Sequence, residues 1–245
     1  MFTLHNTKRA ALVLLIFGLL PVAQIGCDKN QERNIVASNP YLTTIPVDSL
    51  PSGKDSNVPA ATATTYPNFC FALSVPWLCQ LPPGTDWGLT NNCGQACCAM
   101  LGGYFNNRPI SASTIDGENT WLGCPKPYGC GTGNGTIQRL LSGYHGLQSA
   151  VYNGSTPAEP VSEASRNRPP IVGVNIYKGN LVPAGYVGPD GKSGRSHWVI
   201  VVGWDGSNVV VHDPGTGTGA YRKYSVAAFD ASWTTSGRTY IPVWK

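Results

Sequence analysis

A cysteine, a histidine and an aspartate occupy three segments of this chain from which they could act on one another. Cys93 precedes an apolar stretch of helical character, His197 begins a long apolar run, and Asp213 follows the next one. A cysteine in the first turn of a helix lies at the positive end of the helix dipole, which favours the thiolate. A thiolate is a competent nucleophile, and an imidazole held by a carboxylate is a competent base. The three residue types therefore predict nucleophilic acyl chemistry.

The segment that must bring His197 and Asp213 together has the pattern of a β-hairpin. Two apolar runs, residues 197–203 and 208–212, flank an Asp-Gly turn signal. Tight antiparallel pairing sets His197 opposite positions near 214 to 216, so Asp213 lies one or two residues away on the adjacent strand. The hairpin thus predicts that Asp213 orients the imidazole of His197, which takes the proton of Cys93.

Each member of this set also has an ordinary structural interpretation. Cys93 alone could be half of a disulfide, His197 a surface residue at a strand end, and Asp213 part of an Asp-Pro-Gly turn. His212 should face the opposite side of its strand from Asp213, so we interpret it as structural. Asp205, in the hairpin turn, is interpreted as a turn residue only. The combination, rather than any single residue, favours catalysis.

Acyl chemistry also needs hydrogen-bond donors aimed at the oxygen on which negative charge develops. Removing one such donor costs about 3 kcal/mol of transition-state stabilisation. The backbone N–H of Cys93 is one candidate, because a helix start leaves it unpaired. Gln80, upstream in a short extended stretch from Val75, is the candidate for the second donor, although an ordinary polar loop residue is the alternative.

The helix that carries Cys93 is predicted over residues 93–105. Its apolar and small side chains recur at helical spacing, so one face should be buried. Asn91 and Asn92 precede it as cap candidates. The Gly102-Gly103 pair weakens its last turn and, with a second pair of asparagines after it, indicates an early end.

The beginning of the chain has the pattern of an export signal. Positive residues at 8 and 9 precede an apolar run over 10–23, which is shorter than the roughly 20 residues that span a bilayer. We therefore predict a signal peptide over residues 1–26. Gly26-Cys27 resembles the end of a bacterial lipobox, which predicts lipid on Cys27, although Gln24 stands where leucine is usual. The alternative is ordinary cleavage and a free secreted protein.

The rest of the chain divides by composition. Residues 27–67 are rich in Pro, Ser, Thr, Asn and Ala, and they cannot bury enough apolar surface to offset the entropy of ordering, which predicts a flexible tether. Residues 68–245 suit one compact domain with a full core. The net charge is +4, only 12% of residues are charged, and no basic run or basic–aromatic stripe occurs. Nucleic acid is therefore not expected as a partner. We expect a monomer that touches a membrane only through Cys27.

The chain has eight cysteines, and an exported protein meets an oxidising compartment, so disulfides are expected. If Cys27 carries lipid or leaves with the signal, seven remain, and an odd number leaves at least one thiol unpaired. Cys93 is the candidate for that thiol. A zinc cluster is disfavoured because no Cys-x-x-Cys or His-x-x-x-His spacing occurs.

The remaining six cysteines permit 15 pairings. Cys124 with Cys130 is the local candidate, across a Pro/Gly-rich turn. Cys97 and Cys98 face different sides of the predicted helix and are expected to bond to different partners. The candidates for those partners are Cys70 and Cys79.

Several segments resemble, in order, the motifs of papain-like cysteine peptidases of the bacteriocin-processing (double-glycine) type, the thirty-ninth cysteine-peptidase family. The resemblance is strongest to its stand-alone, peptidase-like relatives and covers residues 72–243. Val75–Gln80 is similar to the family's Val-Pro-aromatic-x-x-Gln entry, and Asn92–Ala96 to its Asp/Asn-Cys-Gly-Pro-Ala nucleophile motif. Arg168–Val174 is similar to its Arg-Pro-x-Ile-Val-Gly-Val strand, and His197–Gly206 to its His-Trp strand. Val211–Pro214 is similar to its Asp-Pro strand, and Tyr224–Trp233 to its closing stretch.

The resemblance implies an α+β, papain-like fold, with the nucleophile helix packed on a small antiparallel sheet and the site in the cleft between them. It implies that Cys93 is the nucleophile, His197 the base, Asp213 the orienting acid and Gln80 the oxyanion donor. It implies no cofactor and no metal, and it implies a peptide or protein substrate.

The chain also departs from the family pattern. Gln95 replaces the usual proline of the nucleophile motif. The stretch 122–134, with two cysteines, is not part of the motif set and is expected to shape the substrate cleft. Transporter members of the family process leader peptides after a Gly-Gly pair, but this chain shows no transporter part, so that substrate is not assumed.

Three functions are compatible with these residues. The first is a thiol peptidase of the bacterial cell envelope that works through an acyl-enzyme. The second is an amidase or acyl transferase, such as a transglutaminase-like cross-linker, with the same three residues and a different acceptor. The third is a non-catalytic binding module on the peptidase fold, against which the intact residue set argues.

Overall fold

The computed structural model describes residues 44–45, 65–80, 90–126, 128–176 and 196–245. The predicted signal peptide, the Cys27 lipid site and almost all of the predicted tether lie outside these ranges. Within them, no helix combines the length and the apolar character that crossing a bilayer requires.

Five α-helices and one π-helical turn occur in the described part of the chain. The longest is the one that begins at Cys93, as the sequence predicts, and it is buried from Gly94 to Tyr104. The helices are α1 (Cys93–Asn106), α2 (Ala112–Leu122), α3 (Asn134–Arg139), which runs into the π-helical turn Leu140–Tyr144, α4 (Ala158–Ser165) and α5 (Val226–Thr235).

Within the described ranges, nine strands form the sheet. The neighbouring strands pair antiparallel, except for the first two, which pair parallel. The strands are β1 (Thr44–Ile45), β2 (Phe71–Leu73), β3 (Gln148–Ser149), β4 (Tyr152–Asn153), β5 (Pro170–Asn175), β6 (Ser196–Trp204), β7 (Asn208–His212), β8 (Arg222–Ser225) and β9 (Thr239–Trp244).

The longest strand, β6, organises the sheet. One of its edges pairs with β5 along its first half and with β2 at its end, and the other edge pairs with β7. Both β5 and β6 are buried almost throughout, and α1 packs against β6. The structure thus has the predicted α+β fold, in which the helix that carries Cys93 lies on the strand that carries His197.

The end of α1 lies one residue beyond the predicted range, but the weak last turn that the glycine pair indicated is not observed. The helix does not stop at its glycine pair but continues to Asn106, and Asn107 ends it in the left-handed conformation (φ 48°). A Cβ at Gly102 would collide with the ring of His145, and one at Gly103 would collide with Ile110. The two glycines are therefore close-approach positions, where neighbouring elements need the space, rather than weak points of the helix.

The hairpin has the predicted strands and turn. Ile200 pairs with His212, so Asp213 comes level with Val199, two residues along β6 from His197. Asp205 accepts hydrogen bonds from the backbone N–H groups of the turn, which agrees with its interpretation as a turn residue.

The cysteines differ in part from expectation. Cys124 is bonded to Cys130, as predicted, with the two Cα atoms 5.4 Å apart. The expectation that Cys97 and Cys98 form bridges, with Cys70 and Cys79 as candidate partners, is wrong, because Cys70, Cys97 and Cys98 are free thiols. Cys97 and Cys98 are fully buried in α1, and their sulfurs lie against the backbone carbonyls of Trp198 and Ile137. Sequence places them correctly on different helix faces, but both faces pack into the core, where burial raises the pKa of both thiols.

Candidate active site

The first turn of α1 and the first residues of β6 meet at a cavity of about 570 Å³. Cys93, His197 and Gln80 line it, so the fold brings together three of the four residues singled out in the sequence. Asp213 lies directly behind His197. The remaining lining residues come from the segment before α1, the segment after the disulfide and the start of β6: Thr90, Asn91, Gly131, Thr132, Gly133, Ser196 and Trp198.

The imidazole of His197 is held from behind by Asp213. Nε2 of His197 donates a hydrogen bond to Oδ1 of Asp213 at 2.7 Å, and both side chains are buried. The imidazole is also hydrogen-bonded to Cys93. Because Nε2 is directed at the carboxylate, Nδ1 is the ring nitrogen left for the sulfur. One imidazole therefore connects the carboxylate and the thiol.

Asp213 is itself fixed by several donors. Its Oδ1 accepts from the backbone N–H of Gly215 at 2.8 Å, and its Oδ2 is approached by Nη1 of Arg222 at 3.4 Å and by the hydroxyl of Tyr224 at 3.5 Å. Its main-chain oxygen accepts from the indole of Trp77 at 3.1 Å. Burial alone would raise the pKa of Asp213, but His197, Arg222 and the Gly215 N–H outweigh it and lower the pKa. Asp213 is therefore an ionised carboxylate with little freedom to rotate.

The charge of Asp213 determines the protonation of His197. Burial would lower the pKa of His197, but the charge and hydrogen bond of Asp213, together with Cys93, raise the pKa to about 10. The imidazole is thus a cation at neutral pH, adjacent to a thiol that can carry the matching negative charge. This pair can supply a thiolate nucleophile and then return a proton to a leaving group.

Gln80 lies where an oxyanion donor is needed, on the cavity that Cys93 also lines. Its backbone N–H donates to the carbonyl of Pro214 at 2.8 Å, which ties it to the residue after Asp213. Its Nε2 donates to Oγ1 of Thr90 at 3.1 Å. An amide nitrogen carries two hydrogens, so this bond fixes the side chain and leaves a second hydrogen for an incoming oxygen.

The predicted capping role of Asn92 is not observed. Asn92 stands at the N-cap of α1, but its side chain makes no cap hydrogen bond. Its Oδ1 instead accepts from Nδ2 of Asn119 in α2 at 3.0 Å, and Asn92 is fully buried. The first-turn N–H groups of α1, including that of Cys93, are therefore not used by this side chain, which suits their proposed use as donors.

A family model decides the family of the chain. The model of the Peptidase_C39 like family matches residues 72–241, which include all the site residues described above. This chain belongs to the Peptidase_C39 like family. No curated protein matches it.

A solved structure agrees with this C39-like fold. A crystal structure of a C39-like peptidase from Bacillus anthracis matches 70% of this chain and 95% of its own, with 17% sequence identity and a TM-score of 0.51. A double-glycine-motif protease of an AMS/PCAT transporter, solved with its leader peptide, matches 67% of this chain and 89% of its own, with 14% identity and a TM-score of 0.41. The first of these structures supports the fold of this chain and nothing beyond the fold.

Within the C39-like fold, residues 131–133, here called the cleft wall, line the cavity and lie in the stretch 122–134 that was expected to shape the cleft. The indole Nε1 of Trp198 donates to the carbonyl of Thr132 at 2.8 Å. A Cβ at Gly94 would collide with the Thr132 side chain, so the glycine after Cys93 is needed for this contact. Two sequence signals pointed here, the tryptophan after His197 and the cysteine-bearing stretch outside the motif set, but neither identifies the residues in contact.

The described residues contain no group of three or more His, Cys, Asp or Glu side chains arranged to hold a metal ion. The groups that the four candidate residues bring to the cavity are the Cys93 thiol, the His197 imidazole and the Gln80 amide, with the Asp213 carboxylate behind the imidazole.

Proposed function

We propose that this C39-like chain is a thiol peptidase of the bacterial cell envelope, which hydrolyses peptide bonds through an acyl-enzyme on Cys93. The observation that carries the proposal is the buried imidazole of His197, which is hydrogen-bonded both to Cys93 and to the carboxylate of Asp213. Membership of a peptidase family supports a peptide or protein as the substrate.

The first half of the reaction uses the thiolate of Cys93. Its sulfur attacks the carbonyl carbon of the scissile peptide, and the electron pair of the C=O bond moves onto oxygen. The backbone N–H of Cys93 and Nε2 of Gln80 donate to that oxygen, in the same cavity. The imidazolium of His197 then gives its proton to the leaving nitrogen as the C–N bond breaks. The amine departs and a thioester remains on Cys93.

The second half returns the enzyme to its starting state. The imidazole of His197 takes a proton from a water molecule as that water attacks the thioester carbonyl. The thiolate leaves when the second tetrahedral intermediate collapses, and a carboxylic acid is released. Asp213 holds the ring orientation and stabilises the imidazolium in both halves, without becoming protonated.

The cellular location is part of the proposal and rests on the sequence before the domain. The signal-like pattern over residues 1–26 supports export, and the Gly26-Cys27 pair supports a lipid anchor. The protein is proposed to act as a monomer held to the membrane by its tether, without a cofactor.

The test is selective alkylation of Cys93 in protein purified without reductant. At mildly acidic pH an ordinary thiol is protonated and slow to react, whereas a thiolate paired with an imidazolium reacts. We expect chloroacetamide at pH 5.5 to label Cys93 alone, with the site mapped by mass spectrometry, and the labelled protein to be inactive on peptides. Product analysis with and without an added amine then separates hydrolysis from acyl transfer. A Cys93 that stays unlabelled, or that labels no faster than Cys70, would contradict the proposed chemistry.

A further inference from the structure

Three fully buried side-chain amides form a chain behind the cleft. Nε2 of Gln95 donates to Oδ1 of Asn119 at 3.0 Å, and Nδ2 of Asn119 donates to Oδ1 of Asn92 at 3.0 Å. Nε2 of Gln95 also donates to the backbone carbonyl of Cys130 at 3.3 Å. Both hydrogens of the Gln95 amide therefore have acceptors, one in α2 and one at the disulfide.

The position of these amides in the sequence links them to the nucleophile. Asn92 is the residue before Cys93, and Gln95 is the second residue after it, in the first turn of α1. Asn119 lies on α2 and touches both. The amide chain thus connects the start of the nucleophile helix, through α2, to the backbone at Cys130. The link to Cys130 is made by Gln95, which stands where the family usually has a proline. A proline side chain has no hydrogen-bond donor and could not make this link.

The loop closed by Cys124 and Cys130 is attached to the same helix start. The backbone N–H of Asn91 donates to the carbonyl of Tyr128 at 2.8 Å. Gly129 has a positive φ of 69°, and a Cβ there would collide with Oδ1 of Asn92. The chain at Gly129 can lie this close to Asn92 only because the residue has no side chain.

The cleft wall (131–133) begins directly after this loop and is held at two points. Gln95 holds the carbonyl of Cys130, and Trp198 holds the carbonyl of Thr132. All three residues line the cavity; Gly131 and Gly133 are exposed, and the side chain of Thr132 lies against Gly94. A substrate chain in the cavity must therefore lie against the cleft wall. The position of that wall is fixed by the hydrogen bonds from Gln95 and Trp198.

We propose that Gln95 and Asn119 are positioning residues that fix the cleft wall for the substrate chain, with the Cys124–Cys130 loop as the third support of that wall. This inference rests on the proposed peptidase function. Neutral amides suit the task, because they hold the backbone through directional hydrogen bonds and add no charge beside the Cys93–His197 pair. Losing them should weaken recognition of an extended peptide but leave the reactivity of the thiol unchanged.

The experiment compares two probes of Cys93 on the full chain. Chloroacetamide is small and reports the thiol alone, whereas a panel of N-acetyl-tetrapeptidyl chloromethyl ketones must lie along the cavity. The readout is the ratio of the two second-order alkylation rate constants, peptide probe over chloroacetamide. For Gln95→Met and Asn119→Leu, which keep the side-chain size and remove the amide, we expect this ratio to fall about five- to tenfold. The chloroacetamide rate constant should stay within about twofold of that of the unaltered protein.

Gln138→Met is the matched control, because Nε2 of Gln138 also donates to a backbone carbonyl, that of Ser149, away from the cavity. Its ratio should not change. The paired change Cys124→Ala with Cys130→Ala removes the third support without leaving a buried polar group unpaired, so it keeps the test valid if an amide variant fails to fold. We expect the same selective fall in the ratio.

The outcomes separate this inference from the proposed function. If chloroacetamide does not react preferentially with Cys93 in the unaltered protein, the proposed function fails. If it reacts but the ratio is unchanged in folded Gln95→Met and in the paired cysteine variant, the positioning role is overturned. A ratio near one with every peptide probe in the unaltered protein also overturns it, as does an equal fall in both rate constants, which would mark the amides as general supports of the helix.

Discussion

His197 and His212 are buried side chains on neighbouring strands of one hairpin, yet their surroundings favour opposite protonation states. His197 faces a carboxylate, and its pKa is raised to about 10. His212 donates from Nε2 to the carbonyl of Val75 at 2.8 Å and accepts at Nδ1 from the backbone N–H of Tyr221 at 3.0 Å. Burial lowers the pKa of His212 to about 4. One imidazole is held as a cation and the other as a neutral ring.

The difference shows that the bonding partner, rather than burial, determines what a buried histidine does. A ring with one acceptor partner and one donor partner is satisfied as a neutral group and holds the chain together, as expected for His212. A ring between a carboxylate and a thiol can exchange a proton with the thiol. His145 shows that a carboxyl partner alone is not enough: it lies between Glu118 and Arg108 away from the cavity, and its pKa is lowered to about 4, by burial first and by Arg108 second. Burial also raises the pKa of Glu118, so that partner does not supply the charge that Asp213 supplies to His197.

Removing the charged imidazole should have the largest effect. In His197→Ala we expect peptide hydrolysis to fall by on the order of 10⁴, because both proton transfers are lost. At pH 5.5 an ordinary thiol is only about 0.1% ionised, so alkylation of Cys93 by chloroacetamide should fall by on the order of a hundredfold. His145→Gln is the matched control, a buried histidine outside the cavity, and its alkylation rate should stay within about twofold of the unaltered protein. Equal alkylation rates for the two variants would contradict the proposed pairing of the Cys93 thiolate with the His197 imidazolium.

Neutralising the carboxylate should convert His197 towards the state of His212. In Asp213→Asn we expect kcat to fall by roughly 10²–10⁴, because the ring loses its orientation and its stabilised cation. The pKa of His197 should drop from about 10, and the alkaline limb of the pH–rate profile should move to lower pH. Titration of isotope-labelled histidine by NMR measures the shift directly. An unchanged pKa of His197 would remove the central electrostatic role of Asp213.

The two histidines should also impose opposite pH dependences on stability. An unfolded histidine has a pKa near 6.5, above the value of about 4 for folded His212. The unfolded state therefore binds the proton first, and stability is lost as pH falls from about 6.5 to 4, by on the order of 3 kcal/mol. For His197 the folded pKa is the higher one, so its contribution is fully present below about 6.5 and is lost as pH rises towards 10.

Denaturant unfolding measured at several pH values tests these two opposite pH dependences of stability. His212→Gln should be less stable at pH 7, because at least one of the two hydrogen bonds of the buried ring is lost. Its free energy of unfolding should nevertheless decline less on acidification. His197→Ala should decline less at alkaline pH. Identical pH dependence in both variants would show that neither ring titrates as described.

The smallest effect is expected from removing the Tyr224 hydroxyl, which lies near the carboxylate of Asp213. The hydroxyl of Tyr224 approaches Oδ2 of Asp213 at 3.5 Å, which is long for a hydrogen bond. Tyr224→Phe should lower kcat/KM by about two- to fivefold, with little change in KM. Tyr104→Phe is the matched control, since its hydroxyl donates to Asn167 at 2.7 Å outside the cavity, so it should affect stability and not turnover. A larger loss in the control than in Tyr224→Phe would contradict the assignment.

Much of the fold and the placement of the candidate site residues could be predicted from sequence, because local patterns set them. The apolar runs and the turn at Asp205 set the hairpin, and the hairpin register alone brings Asp213 near His197. The helix start at Cys93 was likewise predicted to the residue. Its end at Asn106 lies within one residue of the predicted range. The role of Gly102 and Gly103 was not predicted, because their sequence is typical of a weak helix end, whereas in the structure they leave space for residues distant in the chain.

The bonding partners of Cys97, Cys98 and Asn92 could not be predicted from local patterns. Whether Cys97 and Cys98 form bridges depends on which groups reach them across the core, and in the structure they meet backbone carbonyls instead of other sulfurs. Asn92 had the sequence position of a cap, but a buried amide on α2 competes for its oxygen. Neither outcome can be read from spacing, because both depend on the packing of separate elements.

The sequence by itself determined the residue types that could react, the helix and hairpin that carry them, and the family to which the chain belongs. These follow from periodicity, turn chemistry and short motifs, whose physical causes act over a few residues. Only the tertiary structure decided the charge state of His197, the neutrality of His212, the buried amides behind Cys93 and the cleft wall after Cys130. These depend on burial and on partners far apart in the chain, and that electrostatic environment exists only once the elements have packed.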